Sequence, residues 1–364
     1  MAERKGRRGI DDMQNPAPGQ RKDPGIEAAS SAEAARSASG EAISNGQNKR
    51  DWKSTLDVFG PFLGLILVIL IFVSLEPGTF LSQYNLITVA SQTVIVALGA
   101  MGMTLIIISG GIDLSVGSVI ALSTVATALG LDAGWNPLGC LFLGVVAGVA
   151  CGLVNGLIIT RLKIVPFIAT LGMLSAVRGF AMYLADEQKV DAPLTWLNTL
   201  MAKSRDSTWL LLPPGVWLMI FASLFVAGIL RYTTFGRYVF AIGSNEATAR
   251  LCGVKVARVK VMLYTFAGVF AGLAGTMQFS RLSVGDPTVA EGLELDIIAA
   301  VVIGGGSLSG GEGSVLGSMI GAFIIAFLRN GCDLVGVPNY MQKIIIGAII
   351  VLAVAVDQLR HRNK

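Results

Sequence analysis

Histidine is almost missing from this sequence. One residue, His361, stands against 28 Lys and Arg and 24 Asp and Glu in 364 positions. No Ser-His pair and no His-bound metal centre can be assembled in the body of such a chain, and HExxH is absent. GxxxxGK(S/T) is absent too, so the chain has no phosphate-binding loop of its own. Cysteine is scarce, and Cys140, Cys151, Cys252 and Cys332 show neither CxxC nor ligand-like spacing. Cys140 and Cys332 both fall on the outer side, where a bridge is conceivable; the simpler expectation is that each thiol is a small buried apolar residue. Charge is the third shortage. Charged residues make up 14% of the chain, where a soluble domain carries about a quarter. No nucleic-acid-binding module is present. The expectation is therefore no catalytic residue, no metal and no cofactor.

What fills the space is apolar: 53% of residues, with a mean hydropathy of +0.67. Ten apolar stretches run through 59–75, 86–108, 116–131, 137–160, 164–184, 215–231, 261–280, 295–306, 314–328 and 341–356. A hydrocarbon core about 30 Å thick takes roughly 20 helical residues to cross. Backbone amides in lipid must be paired within the segment, so these stretches are helices. The expected fold class is all-α: a polytopic transmembrane helical bundle of about ten spans. The third and eighth are short enough to be tilted, broken or re-entrant.

Residues 1–55 are a different material, rich in Ala, Ser, Gly and charge. They cannot bury enough apolar surface to fold and read as a disordered cytoplasmic tail ahead of a 56–360 membrane domain. No apolar core follows Arg4, Lys5, Arg7 and Arg8 at once, so this is not a signal peptide, and the first span acts as an uncleaved insertion signal. With the N-terminus inside and every stretch crossing, 21 of 28 Lys and Arg fall inside and 6 outside. That bias fits the positive-inside rule with both termini in the cytoplasm.

Two polar segments remain. The outer one, 185–212, holds Lys189, Trp196 and Trp209. The inner one, 232–260, is basic and has a short helix in its middle. Ser244 or Asn245 can cap that helix, Glu246 suits its first turn, and Gly253 stops it.

Several motifs stand out. SGGIDLSVGS, Ser109 to Ser118, joins the second and third spans. Gly110 and Gly111 allow a tight bend, and Asp113 is placed to cap a helix starting near Leu114. The alternative is a carboxylate beside a translocation path, because intramembrane charge is often functional. Arg178, in the outer part of the fifth span, either snorkels to the nearby interface or serves the path. Gly144, Gly148, Gly152 and Gly156 share one helix face and form a groove for a neighbouring helix; Gly313, Gly317 and Gly321 repeat the spacing. LSGGE, Leu308 to Glu312, copies a signature of ATP-binding cassette ATPases but lies between two apolar spans, so it reads as a glycine-rich turn. Gln92, Thr104, Asn155 and Ser175 are polar side chains that could serve a hydroxylated solute. From the residues alone, an ion-coupled secondary transporter and an intramembrane hydrolase centred on Asp113 stay open beside an ATP-driven importer.

Four stretches in order carry a family resemblance: SGGIDLSVGS; FIATLGMLSAVRGFA from Phe167 to Ala181; Phe235 to Gly275; and Glu294 to Gly331. Over about 57–360 the chain resembles the permease subunits of bacterial sugar importers driven by ATP-binding cassettes, the ribose/xylose/arabinose/galactose type. Gly306, where such proteins more often carry Thr, and ADEQKV at 185–190 depart from the pattern. The resemblance implies a multi-pass protein of the bacterial inner membrane that imports a monosaccharide. It implies a permease homodimer, a separate ATP-binding cassette subunit, a periplasmic sugar-binding protein, and no nucleic acid. It also implies a helix coupling the permease to the ATPase, at Gly243, Asn245, Glu246, Ala247, Ala249, Arg250 and Gly253. Gly110, Gly111, Asp113 and Arg178 are the candidates beside the path.

Overall fold

The structure is a computed structural model that describes residues 60–202 and 212–362. The tail 1–55 and Lys203, Arg205 and Trp209 lie outside the described residues. Ten helices match the ten apolar stretches: α1 (Gly60–Leu75), α2 (Gln83–Ile108), α3 (Val116–Asp132), α4 (Pro137–Arg161), α5 (Pro166–Leu184), α7 (Pro214–Tyr232), α10 (Val256–Leu282), α11 (Leu293–Ile303), α12 (Val315–Val335) and α13 (Asn339–Arg362). Between them stand α6 (Trp196–Thr199), α8 (Thr234–Ser244) and α9 (Glu246–Leu251). Among the described residues the fold is all-α apart from a two-residue antiparallel pair, β1 (Val190–Asp191) with β2 (Val284–Gly285).

Local chemistry sets the helix ends. Pro137, Pro166 and Pro214 open α4, α5 and α7, where a missing N–H costs nothing. Ser82, Asn136 and Ser314 accept from first-turn amides of α2, α4 and α12. Gly336, at φ +79°, ends α12 in the left-handed cap that glycine tolerates.

Among the described residues, six helices are long and apolar enough to cross a membrane: α2, α4, α5, α7, α10 and α12. The eighth stretch, expected to be short at 295–306, is short in the structure. Its helix, α11, has 11 residues, about 16 Å, half a bilayer. The ninth runs longer than the expected 314–328, because its polar end is paired. Arg329 forms an ion pair with Asp296, and Asn330 exchanges two amide bonds with Asn85 at 2.8 and 2.9 Å. Charge therefore does not stop the helix there.

Two faces are built without side chains. Along α4, a Cβ at Gly148 would strike the Gly268 carbonyl, and one at Gly156 would lie 2.8 Å from the Val261 Cα of α10. Gly144 faces Thr276, and Gly152 faces the Tyr264 carbonyl. On α12, Gly317 and Gly321 lie against the Gly304 and Ala300 carbonyls. Without a Cβ, the backbones can come into direct contact along these faces.

All four cysteines are free. Cys140 packs with Leu131 and Phe279, Cys332 with Phe72 and Phe80, in separate clusters, so no bridge joins them. Cys252 departs from the expected burial: it is exposed at the end of α9, where the chain turns away.

Candidate functional site

The first site is the α8–α9 pair. Thr233 caps α8 through the Gly236 N–H at 3.2 Å. The spacing of Gly236, Val239 and Ile242 buries one face of α8. Asn245, not Ser244, caps α9, its Oδ1 accepting from the Thr248 N–H at 2.9 Å. Gly253 takes φ +85°, a conformation that favours glycine, and turns the chain into α10. Glu246 is held from two sides: Lys260 of α10 donates at 2.7 Å and Arg250 at 2.8 Å. The Lys260 ammonium, with Arg250 beside it, holds the Glu246 carboxyl below the usual range, against a weaker opposing effect of burial. Ala249 is the buried residue of α9; Ala247, Arg250 and Leu251 are exposed. Leu251 stands 89% exposed, an apolar knob in a segment whose Arg237, Arg250, Lys255 and Arg258 are also exposed. Sequence reading singled out the glycines and charges here and passed over Leu251. The signal for it was an apolar residue on the solvent face of a capped helix. Gly243 lies not in a loop but near the end of α8.

The second site is the break between α2 and α3. The chain leaves α2 at Ile108, turns through Gly110 at φ +79°, and runs non-helically to Ser115. Asp113 does not cap α3, which begins at Val116 with Ser115 as its flanking residue. Its Oδ1 accepts from the Ser115 N–H at 2.8 Å and the Ser115 hydroxyl at 2.6 Å, because a two-residue reach suits this short side chain. Asn155 of α4 donates Nδ2 to Ser115 Oγ at 2.9 Å and stands 3.5 Å from Asp113 Oδ2. Gly111 packs under the Tyr264 hydroxyl of α10. A small cavity bordered by Asp113, Asn155, Gly102, Gly152 and Gly268 sits among these helices, with room for about one water. It cannot hold a sugar. Thr104 donates to Ser318 of α12 at 2.7 Å, and Ser175 is exposed on α5.

Arg178 lies apart from both sites. Its Nη1 donates to the carbonyls of Pro287 and Val289, 2.7 Å each. These belong to the non-helical stretch between α10 and α11, where backbone acceptors need donors. The same stretch is tied by β1 and β2 and by the Lys189–Asp286 ion pair at 3.3 Å. Among the described residues no cluster of His, Cys, Asp and Glu could hold a metal ion.

Long apolar helices, glycine seams and buried breaks define a multi-pass helical membrane protein of the transport type. Residues 85–354 match the family described as branched-chain amino acid transport system / permease component. The chain belongs to this family, and it is a transport permease component, not an enzyme. It is 40% identical over 320 residues to the ribose import permease protein RbsC of Bacillus subtilis (strain 168), covering 87% of this chain and 98% of that protein. It is 34% identical to the fructose import permease protein FrcC of Rhizobium meliloti over 82% of this chain and 84% of the relative. It is also 34% identical to the D-allose transport system permease protein AlsC of Escherichia coli (strain K12), over 83% and 92%. No solved structure matches the chain.

Proposed function

We propose that this chain is the membrane subunit of an ATP-driven importer that carries a monosaccharide across a bacterial inner membrane. The observation that carries the reading is the near full-length similarity to permeases named for ribose, fructose and D-allose import. In this reading two copies form the conduit. A separate ATP-binding cassette subunit docks on the cytoplasmic side, and a periplasmic sugar-binding protein delivers the solute. The chain threads the bilayer with both termini inside and ten passes, the eighth made by the short helix α11 together with the non-helical 304–314 that follows it; residues 1–55 form a cytoplasmic tail outside the 56–360 membrane domain. The distribution of Lys and Arg supports this orientation.

The docking helix is α9. Asn245 and Gly253 set its two ends, Glu246 anchors it to Lys260, and Arg250 and Leu251 face outward. Gly243 and the buried Ala249 keep its connection to the body tight, and Ala247 lies on its exposed face. The charged rim attracts a partner and the apolar knob fills a pocket, the division of labour common to protein interfaces. The buried Asp113 and Gly111, with the exposed Gly110, form a break that changes shape in the cycle; the path for sugar opens only when helices part. Arg178 contributes beside the path by holding the 286–289 backbone.

Proteoliposomes test the reading. With ATPase and binding protein present, D-ribose, D-fructose or D-allose should accumulate only with ATP inside the coupling compartment. Concentrative uptake by the permease alone, driven by a sodium or proton gradient, would overturn it in favour of a secondary transporter.

A further inference from the structure

At the end of α8 the contact with the helical body is backbone on backbone, beside the buried side chains of Val239, Ile242 and Ala249 and the Glu246–Lys260 pair. The Gly311 N–H donates to the Ile108 carbonyl at 2.8 Å, tying the last residue of α2 to the turn between α11 and α12. Gly243 lies over that bond. A Cβ there would run into the Ile108 carbonyl and come within 2.6 Å of the Gly311 nitrogen. A Cβ at Gly310 would sit 2.8 Å from the Gly243 carbonyl and 3.1 Å from the Gly110 Cα. A Cβ at Gly311 would sit 3.2 Å from the Ser244 Cα. Gly110, Gly310 and Gly311 take φ of +79°, +84° and +78°. Three chain segments, distant in sequence, thus touch with no side chain between them. The LSGGE stretch supplies one of the three, which accounts for its two glycines without any nucleotide.

We propose that Gly243, Gly310 and Gly311 are positioning residues of the transport cycle: they weld the end of α8 to the end of α2 and to the α11–α12 turn, so that displacement of α9 moves these three segments as one body. The proposal rests on α9 being the ATPase-docking helix, and goes beyond it by naming where the force enters the membrane. Side chains can slide past one another by changing rotamers. Backbones in contact cannot, since close-packed protein transmits displacement. The moving body includes Gly110 and Gly111, and through Gly111 it bears on Tyr264 and the Asp113 break.

Two variants of the complete transporter test this. In Gly243→Ala the added methyl forces α8 off its seat. The ATPase should still copurify, through α9, while sugar imported per ATP hydrolysed falls at least tenfold. An unchanged ratio overturns the proposal, and so does loss of the ATPase from the complex, which would make Gly243 a docking residue. In Gly310→Ala the methyl would sit 2.8 Å from the Gly243 carbonyl, on the other side of the same junction. It should show the same loss of coupling with the ATPase retained, and a wild-type ratio there refutes the weld. If the wild-type permease does not bind an ATPase at all, the docking reading fails and this proposal, which rests on it, fails with it.

Discussion

Arg178 on α5 donates to the Val289 carbonyl at 2.7 Å, and the same nitrogen serves Pro287 at 2.7 Å. One guanidinium thus satisfies two backbone acceptors in a stretch that has no helix to satisfy them. A buried carbonyl left without a donor costs about 1–3 kcal/mol. Arg178→Met is expected to lower thermal stability in detergent by that order, and Arg178→Lys to recover part of it. A variant that keeps full stability yet loses uptake would assign Arg178 to solute contact instead.

The glycine seam between α4 and α10 can be compared with glycines of α4 and α5 that face open space. Gly148→Ala and Gly152→Ala push a methyl into opposing backbone, and overpacking costs about 1–3 kcal/mol. Gly139 and Gly172 have open space at the Cβ position, and there alanine should stabilise the helix by up to about 1 kcal/mol. Thermal unfolding of the four variants should separate them into two groups of opposite sign.

At Asp113 the acceptor matters for folding. Asn can still accept from Ser115, so Asp113→Asn should insert and melt within a few degrees of wild type. Asp113→Leu strands the Ser115 donors and should melt lower, by an unmet hydrogen bond of about 1–3 kcal/mol. Comparing uptake in the asparagine variant with the wild type then isolates what the charge does in transport.

Glu246 predicts a pH dependence. Its folded pKa is depressed by Lys260 and Arg250, so its contribution is complete above the unfolded value of about 4.3. It is lost as pH falls below that value and through the folded one. The stability gap between wild type and Glu246→Gln should stay flat from pH 8 to 6 and close in acid. Being half-exposed, the cluster should also weaken with salt.

Glu246→Lys and Gly253→Val address docking directly. Both should reach the membrane and both should lose uptake, because one reverses the anchor to Lys260 and the other puts a branched side chain at φ +85°. Copurification with the ATPase reads the defect. Wild-type uptake in both would remove α9 from the coupling role.

The helices were readable because apolar length is a strong signal and proline marks three of their starts. Boundaries failed where a charge had a hidden partner: nothing around Arg329 announces Asp296, 33 residues earlier. Helix α8 was read as loop because Arg237 and Tyr238 interrupt it, although Gly236, Val239 and Ile242 keep a helical spacing. Asp113 was recognised as a local acceptor, but its reach to Ser115 and its neighbour Asn155 depend on how α4 packs. The junction of Gly243, Ile108 and Gly311 had no local signature, since it is made of main-chain atoms from three places.

The α4–α10 seam has a mechanical consequence. Two helices that touch main chain to main chain along Gly148, Gly152 and Gly156 leave no interleaved layer that could be reshuffled at low cost. They form a single plank. Any opening and closing of this protein must hinge elsewhere, at the lightly anchored α5 and α7 or at the two non-helical breaks.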